Sequence, residues 1–200
     1  MRFAVLGTGT VGRTLAAKLS ELGHEVAIGS RTAGEDTEPF AEAAAGAEVV
    51  VNATAGEHSL EALEAAGAEN LAGKVLLDVA NPLHVEDGTV TLAVCNHDSL
   101  AERIQRAFPE ARVVKALNTV NASVMTDPGG VPGSHTMFLC GEDEGAKAEV
   151  AGLLRSFGWE DVLDLGGIDA ARGMEMYLPL WLRLWRAKGT AQLNIAVTAA

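Results

Sequence analysis

Gly7-Thr8-Gly9-Thr10-Val11-Gly12 follows the apolar run Phe3-Ala4-Val5-Leu6 and leads into Thr10 to Leu22, where Val11, Leu15, Leu19 and Leu22 recur at three- and four-residue spacing. That pattern predicts a buried strand, a tight turn and an amphipathic helix whose apolar stripe packs on a sheet. Gly23 ends the helix and Glu25 to Ile28 reads as a second strand, which completes a βαβ unit with parallel strands. In such a unit Gly7 permits the turn, Gly9 lets backbone approach a pyrophosphate, and Gly12 lets the helix pack on the strand. The free N–H groups and dipole of the helix N-terminus favour an anion there. Glycines can also serve a strand-to-helix turn that binds nothing, but their place at the head of a βαβ unit of the right length weighs against this.

The alternation continues outward from this unit. A short helix is expected over Glu38 to Ala45, then the strand Glu48-Val49-Val50-Val51, a helix over Ser59 to Ala66 and the strand Val75 to Val79. Leu100 to Phe108 reads as a helix and Arg112 to Ala116 as a strand; His135 to Cys140, Ala146 to Phe157 and Asp161 to Leu165 repeat the strand, helix, strand order. One helix kinked by Pro179 is expected from about Ala170 to Ala187. The expectation is an α/β protein with a Rossmann-type, doubly wound, mainly parallel sheet over residues 1–165 and a short C-terminal helical appendage over 166–200. The appendage is too small for a core of its own and would close the ligand cleft or pair with a second subunit as a homodimer.

With 48% hydrophobic and 21% charged residues, the 200-residue chain can bury one substantial core. A formal charge of −12 argues against nucleic acid and against anionic membrane surfaces. Any phosphate must therefore be held by local backbone dipoles and a few placed cations. Cys95 and Cys140 are far apart and form no Cys-x-x-Cys pair, and the five histidines show no ligand spacing, so no metal site is expected. No signal-peptide core is evident and Tyr177 to Trp185 is too short and too interrupted to span a bilayer, so a cytoplasmic location is expected.

The end of the second strand discriminates between dinucleotides. An acid there would hydrogen-bond a ribose 2′-hydroxyl, whereas this chain has Ser30-Arg31-Thr32, a guanidinium between two hydroxyls, which suits a 2′-phosphate and hence NADP(H). Ala53-Thr54-Ala55, Asn81-Pro82 and Asn118-Thr119 end three further strands and should face the same edge of a parallel sheet. Small residues at 53 and 55 leave room for ribose and nicotinamide, and Asn81, Asn118 and Thr119 can position rings through hydrogen bonds. Asn and Thr also favour turns for purely local reasons. Lys115, inside a strand, reads as a structural lysine satisfied by a partner, and no serine nucleophile elbow is present.

Together, Gly7-Thr8-Gly9-Thr10-Val11-Gly12, Gly29-Ser30-Arg31, Ala80-Asn81-Pro82, Lys115-Ala116-Leu117-Asn118-Thr119 and Met176-Tyr177-Leu178-Pro179-Leu180-Trp181 resemble the F420-dependent NADP reductase family along nearly the whole chain. The resemblance implies reversible hydride transfer between the nicotinamide C4 of NADPH and C5 of the deazaflavin coenzyme F420, or a flavin acceptor as in similar domains of membrane ferric reductases. It implies that Thr8, Ser30 and Arg31 bind the NADP phosphates. Gly34-Glu35-Asp36 departs from the family, whose members often carry a lysine soon after the arginine. Two other functions use the same loop: an NADP-binding redox sensor or partner-binding module without turnover, and a small dehydrogenase acting on a carbonyl, which would need a placed proton donor.

Overall fold

Valine-rich strands buried on both faces alternate with alanine-rich helices in the computed structural model, which describes residues 1–199. The first half runs β1 (Arg2–Leu6), α1 (Thr10–Glu21), β2 (Glu25–Ser30), β3 (Glu38–Pro39), α2 (Phe40–Ala45), β4 (Val49–Asn52), α3 (Ser59–Ala66), α4 (Ala68–Leu71) and β5 (Val75–Asp78). A hairpin of β6 (Leu83–Glu86) and β7 (Thr89–Leu92) follows, then α5 (Leu100–Ala107), β8 (Arg112–Ala116) and α6 (Ala122–Thr126). The chain continues through β9 (Thr136–Gly141), α7 (Glu144–Ser156), β10 (Asp161–Asp164), α8 (Ala171–Met176) and α9 (Leu178–Lys188).

The main sheet has the order β3-β2-β1-β4-β5-β8-β9-β10. Its first six strands are parallel. From β1 the chain builds outward through β2 and β3, then returns to lay β4, β5 and β8 on the other side. The reversal falls between β1 and β4, and a crevice opens there beyond the carboxyl ends of the strands.

Every residue of β4 and β5 is buried, as expected where helices cover both faces. On one face Ala43, Ala44, Ala62, Ala66, Ala101 and Ala171 join Leu63, Leu76 and Ile104 in a core that lets helices lie close to the sheet. On the other, Leu15 and Leu19 of α1 pack with Val5, Val51, Val124, Val150 and Leu154. Each buried leucine contributes about 1.5–3 kcal/mol relative to exposure. Leu15 and Leu19 of the stripe expected of α1 therefore seat it, whereas Leu22 lies past the helix end and is exposed.

Several expected details differ. β9 is antiparallel to β8, not parallel, because the connection through α6 stays at the carboxyl edge and β9 starts where β8 ends. β9, α7 and β10 then form a parallel βαβ unit. Glu38 and Pro39 pair with Gly29 and Ser30 as a short strand, so the helix there begins at Phe40. The expected single helix over 170–187 is two: α8 ends at Met176 and Pro179 sits in the first turn of α9, where its missing N–H costs no intrahelical bond. The β6–β7 hairpin was not expected from the sequence; its turn is Asp87-Gly88, both at positive φ (48° and 73°). Gly141 N–H donates to Gly166 and Thr136 N–H to Ile195, which fastens the C-terminal segment to β9. Among the described residues no helix is long and apolar enough to cross a membrane.

Candidate functional site

The carboxyl ends of β1 and β4 lie side by side at the reversal point, and backbone bonds carry the ladder past both: Gly7 N–H donates to Gly29 (2.9 Å) and Ala53 N–H to Leu6 (2.9 Å). The turn after β1 has no room for side chains on its inner side. A Cβ at Gly7 would lie 2.5 Å from the Ala53 carbonyl oxygen, and one at Gly12 only 2.1 Å from the Gly7 carbonyl oxygen. Gly9 is different: a Cβ there would meet nothing within 4 Å. It is also the N-cap residue of α1, with no side-chain cap, so the helix presents backbone N–H groups to open space. A negatively charged phosphate fits this cradle, since the free N–H groups and the helix dipole both favour it.

Beside the cradle lies a pocket of about 330 Å³ lined by Gly7, Thr8, Gly9, Ser30, Arg31, Phe40, Ala53, Thr54, Ala55 and His58 among others. Arg31 is exposed and, among the described residues, has no carboxylate within ion-pairing distance. Ser30 Oγ donates to the Thr32 carbonyl (2.5 Å), which tightens the turn around Arg31; Thr32 itself is exposed beside the pocket. Sequence reasoning missed Arg13. Its guanidinium pairs with Asp36 (2.7 Å) while its Nε donates to the Thr8 carbonyl (3.2 Å). The hydrogen bond and charge of Arg13 hold the Asp36 carboxyl below its usual range. Asp36 is thus engaged by a cation at the glycine loop.

Ala53, Thr54 and Ala55 also line a second, larger cleft of about 700 Å³. Its walls come from Thr10 and Val11 of the glycine turn, Val79 to Asn81 after β5, Leu83 to Val85 of the hairpin, Val120 to Ala122 after β8, Met125, and Trp181 of α9. Pro82 is buried behind this wall. Asn118 and Thr119 are also behind it, 2% and 1% exposed. Asn81 Nδ2 donates to the Asn118 carbonyl (2.9 Å), and Asn118 Nδ2 donates to Asn81 Oδ1 (3.0 Å) and to the Met174 carbonyl (3.1 Å). Asn118 therefore positions Asn81 and ties down α8. Leu117, at φ +65°, makes the reversal that delivers this asparagine, a conformation costing a buried leucine about 1–2 kcal/mol.

A buried polar chain lies beneath both pockets. Thr54 Oγ1 donates to Asn52 Oδ1 (2.7 Å), and Asn52 Nδ2 donates to Asp78 Oδ1 (2.8 Å). Lys115 Nζ then contacts Asp78 Oδ2 (2.7 Å), the Ala80 carbonyl (2.5 Å) and Glu175 Oε1 (2.9 Å). Burial pushes the Lys115 ammonium toward neutrality, but Asp78 and Glu175 outweigh it and hold its pKa above the ordinary value. Glu175 Oε2 and Oε1 also accept from the N–H groups of Leu100 and Ala101, at the N-terminus of α5, while burial pushes its carboxyl up. Cys140 lies in the same interior; burial pushes its thiol up to about 12, so it stays protonated and unreactive.

The profile of the family described as NADP oxidoreductase, coenzyme F420-dependent, matches residues 2–82. A solved protein from Arthrobacter sp. FB24, provisionally named an F420-dependent NADP-reductase, is 54% identical with a TM-score of 0.95, over 100% of both chains. The F420-dependent NADP reductase of Methanocaldococcus jannaschii is 27% identical over 95% of this chain and 96% of its own length. Metalloreductase STEAP3 of Rattus norvegicus is 32% identical over 98% of this chain, and the chain spans only 40% of that protein's length.

The contrast between two glycines gives a direct test of the phosphate cradle. Gly9→Val should leave the melting temperature near that of the wild type while abolishing dinucleotide binding, because its side chain fills open space. Gly12→Val should instead destabilise the fold, since its Cβ meets backbone. Calorimetric titration and thermal melts measure both; a folded Gly9→Val protein with unchanged affinity would place the phosphates elsewhere.

Proposed function

The chain belongs to the F420-dependent NADP oxidoreductase family, and from that premise we propose that it passes a hydride between NADP(H) and a deazaflavin, coenzyme F420, or a flavin. In this reading the loop Gly7 to Gly12 holds the pyrophosphate, and Ser30, Arg31 and Thr32 hold the 2′-phosphate. Ala53, Thr54, Ala55, Asn81 and Pro82 shape the floor and wall for the nicotinamide half. Residues 1–165 carry the cofactor, and the helical appendage that follows closes the cleft through α9.

The observation that carries the proposal is the continuity of the two pockets through Ala53, Thr54 and Ala55. A dinucleotide lying along that floor has its anionic half at the cradle and its nicotinamide in the larger cleft. A nicotinamide bound there would supply a hydride from C4, and a flavin or deazaflavin acceptor would take up that hydride together with a proton. The protein's part is to hold two planar rings close and aligned. Reduction of a carbonyl would need a sheltered proton donor, whereas the titratable groups on the cleft wall, Glu57 and His84, are both exposed.

Mixing the protein with NADPH and either F420 or FMN should give steady loss of NADPH absorbance. Binding of NADPH with no turnover of either acceptor would make the protein a sensor instead. NADPH should bind more tightly than NADH, and Arg31→Ala should erase most of the difference by removing a charge-assisted contact of about 1.5–3 kcal/mol. Equal wild-type affinities for the two cofactors would overturn the role of Arg31.

We further propose a homodimer built on α9. Leu178 and Trp181 of this helix are buried in the chain's own fold, but Leu180 and Trp185 are 55% and 44% exposed. That remaining apolar surface suits a second copy. Light scattering should give a dimer mass that Trp185→Glu reduces to monomer; a wild-type monomer at micromolar concentration would refute it.

A further inference from the structure

We infer that Arg13 is a second cation for the 2′-phosphate of the dinucleotide: its guanidinium exchanges the Asp36 carboxylate for the phosphate, so Arg13 and Asp36 set the preference for NADPH over NADH alongside Arg31. This rests on the NADP(H) reading above and deepens it, by naming two residues that the glycine loop and the strand ends do not contain.

The ion pair joins the two turns that form the pocket beside the cradle. Arg13, near the start of α1, donates from Nε to the Thr8 carbonyl (3.2 Å) and from Nη1 to Asp36 (2.7 Å). Asp36 belongs to the loop between β2 and β3. That loop is closed by the Gly34 N–H on the Thr37 carbonyl (3.1 Å) and by Ser30 Oγ on Thr37 Oγ1 (3.2 Å). Thr8 and Ser30 both line the pocket, as does Arg31. The guanidinium therefore stands between the glycine turn and the loop that carries Arg31. Among the described residues no protein group holds its Nη2.

The charges call for such a group. A 2′-phosphate carries a charge of about −1.5 to −2 near neutral pH and presents three acceptor oxygens. Arg31 supplies one positive charge, the Ser30 hydroxyl is engaged with the Thr32 carbonyl, and the loop adds the acids Glu35 and Asp36. One guanidinium thus faces a dianion among like charges, and a second restores the match.

The exchange itself is easy. The side chains of Arg13 and Asp36 are 51% and 62% exposed, and ion pairs so exposed are weak and screened by water. A phosphate takes two parallel N–H bonds from a guanidinium and carries more charge than a carboxylate, so it is the stronger partner. The Nε bond to Thr8 keeps Arg13 at the turn while its partner changes.

Titration calorimetry of the full chain should show Arg13→Gln weakening NADPH binding about fivefold, less than Arg31→Ala does, with NADH affinity unchanged. The salt dependence of NADPH binding should become shallower in the same variant, because one fewer charge contact is screened. Asp36→Asn should act in the opposite direction, tightening NADPH about threefold with NADH unchanged, since it frees the guanidinium and removes a repelling charge. A gain in affinity cannot arise from a misfolded variant. Adenosine 2′,5′-bisphosphate compared with 5′-AMP should repeat these results without the nicotinamide half. Unchanged NADPH affinity in Arg13→Gln, an equal loss for NADH, or unchanged or weaker NADPH binding by Asp36→Asn would overturn the inference while leaving the NADP(H) reading and Arg31 in place. Equal wild-type affinities for NADPH and NADH would overturn that reading and the inference with it.

Discussion

A lysine ammonium in the dry interior has three protons to satisfy, and the site of this protein is arranged around the three oxygens that satisfy them. Lys115 reaches Asp78 at the end of β5, the Ala80 carbonyl just beyond it, and Glu175 on α8. One side chain thus joins two strand ends and the C-terminal helices. Loss of the ammonium would leave two buried carboxylates uncompensated, which costs about 3–5 kcal/mol, against a total stability of about 5–15 kcal/mol for a typical domain. The loops that form the cleft wall follow directly from these strand ends, so their geometry inherits the same constraint.

The chemistry asked of such a site is mostly positional, and the structure supplies position in two ways. Backbone closeness at Gly7 and Gly12 fixes the turn that offers N–H groups to an anion. Two hydrogen bonds between Asn81 and Asn118, one from the Asn81 side chain to the Asn118 carbonyl and one between the two side chains, fix the opposite wall. Neither depends on net charge, so the proposed phosphate site is compatible with a formal charge of −12. Two cations lie nearby: Arg31 in the pocket, and Arg13 at the glycine turn with Asp36 as its counter-ion.

Features governed by local constraint were legible in the sequence. The glycine turn, the stripe of α1 and the buried valine runs each follow from residues a few positions apart, and they were enough to indicate a doubly wound sheet. Features set by distant partners were not. The reversed direction of β9 depends on where the chain after β8 comes to rest, and one partner of Lys115 is a glutamate on a helix that no spacing rule connects to it. Strand-end placement of Asn118 and Thr119 could be read, but whether such residues face the cleft or lie behind its wall depends on the positive φ of Leu117. Arg13 belongs to no spacing pattern, and its pairing with Asp36 joins residues 23 positions apart. The hairpin carried a readable cue, the Asp87-Gly88 pair between alternating residues, although its strands have only four residues each.

That hairpin stands apart from the rest of the cleft wall. It forms its own two-stranded sheet, most of its residues are exposed, and Val85 near the turn is 65% exposed. Isolated hairpins of this size are marginally stable in water, whereas the eight-stranded sheet opens only with the whole domain. Their amide protons should therefore exchange with solvent on separate clocks, fast in β6 and β7 and slow in β4 and β5. One wall of the cavity is consequently free to breathe at little energetic cost while the strand-built floor stays rigid, so, with the two substrates seated as proposed, the traffic of the second is uncoupled from the integrity of the first one's seat.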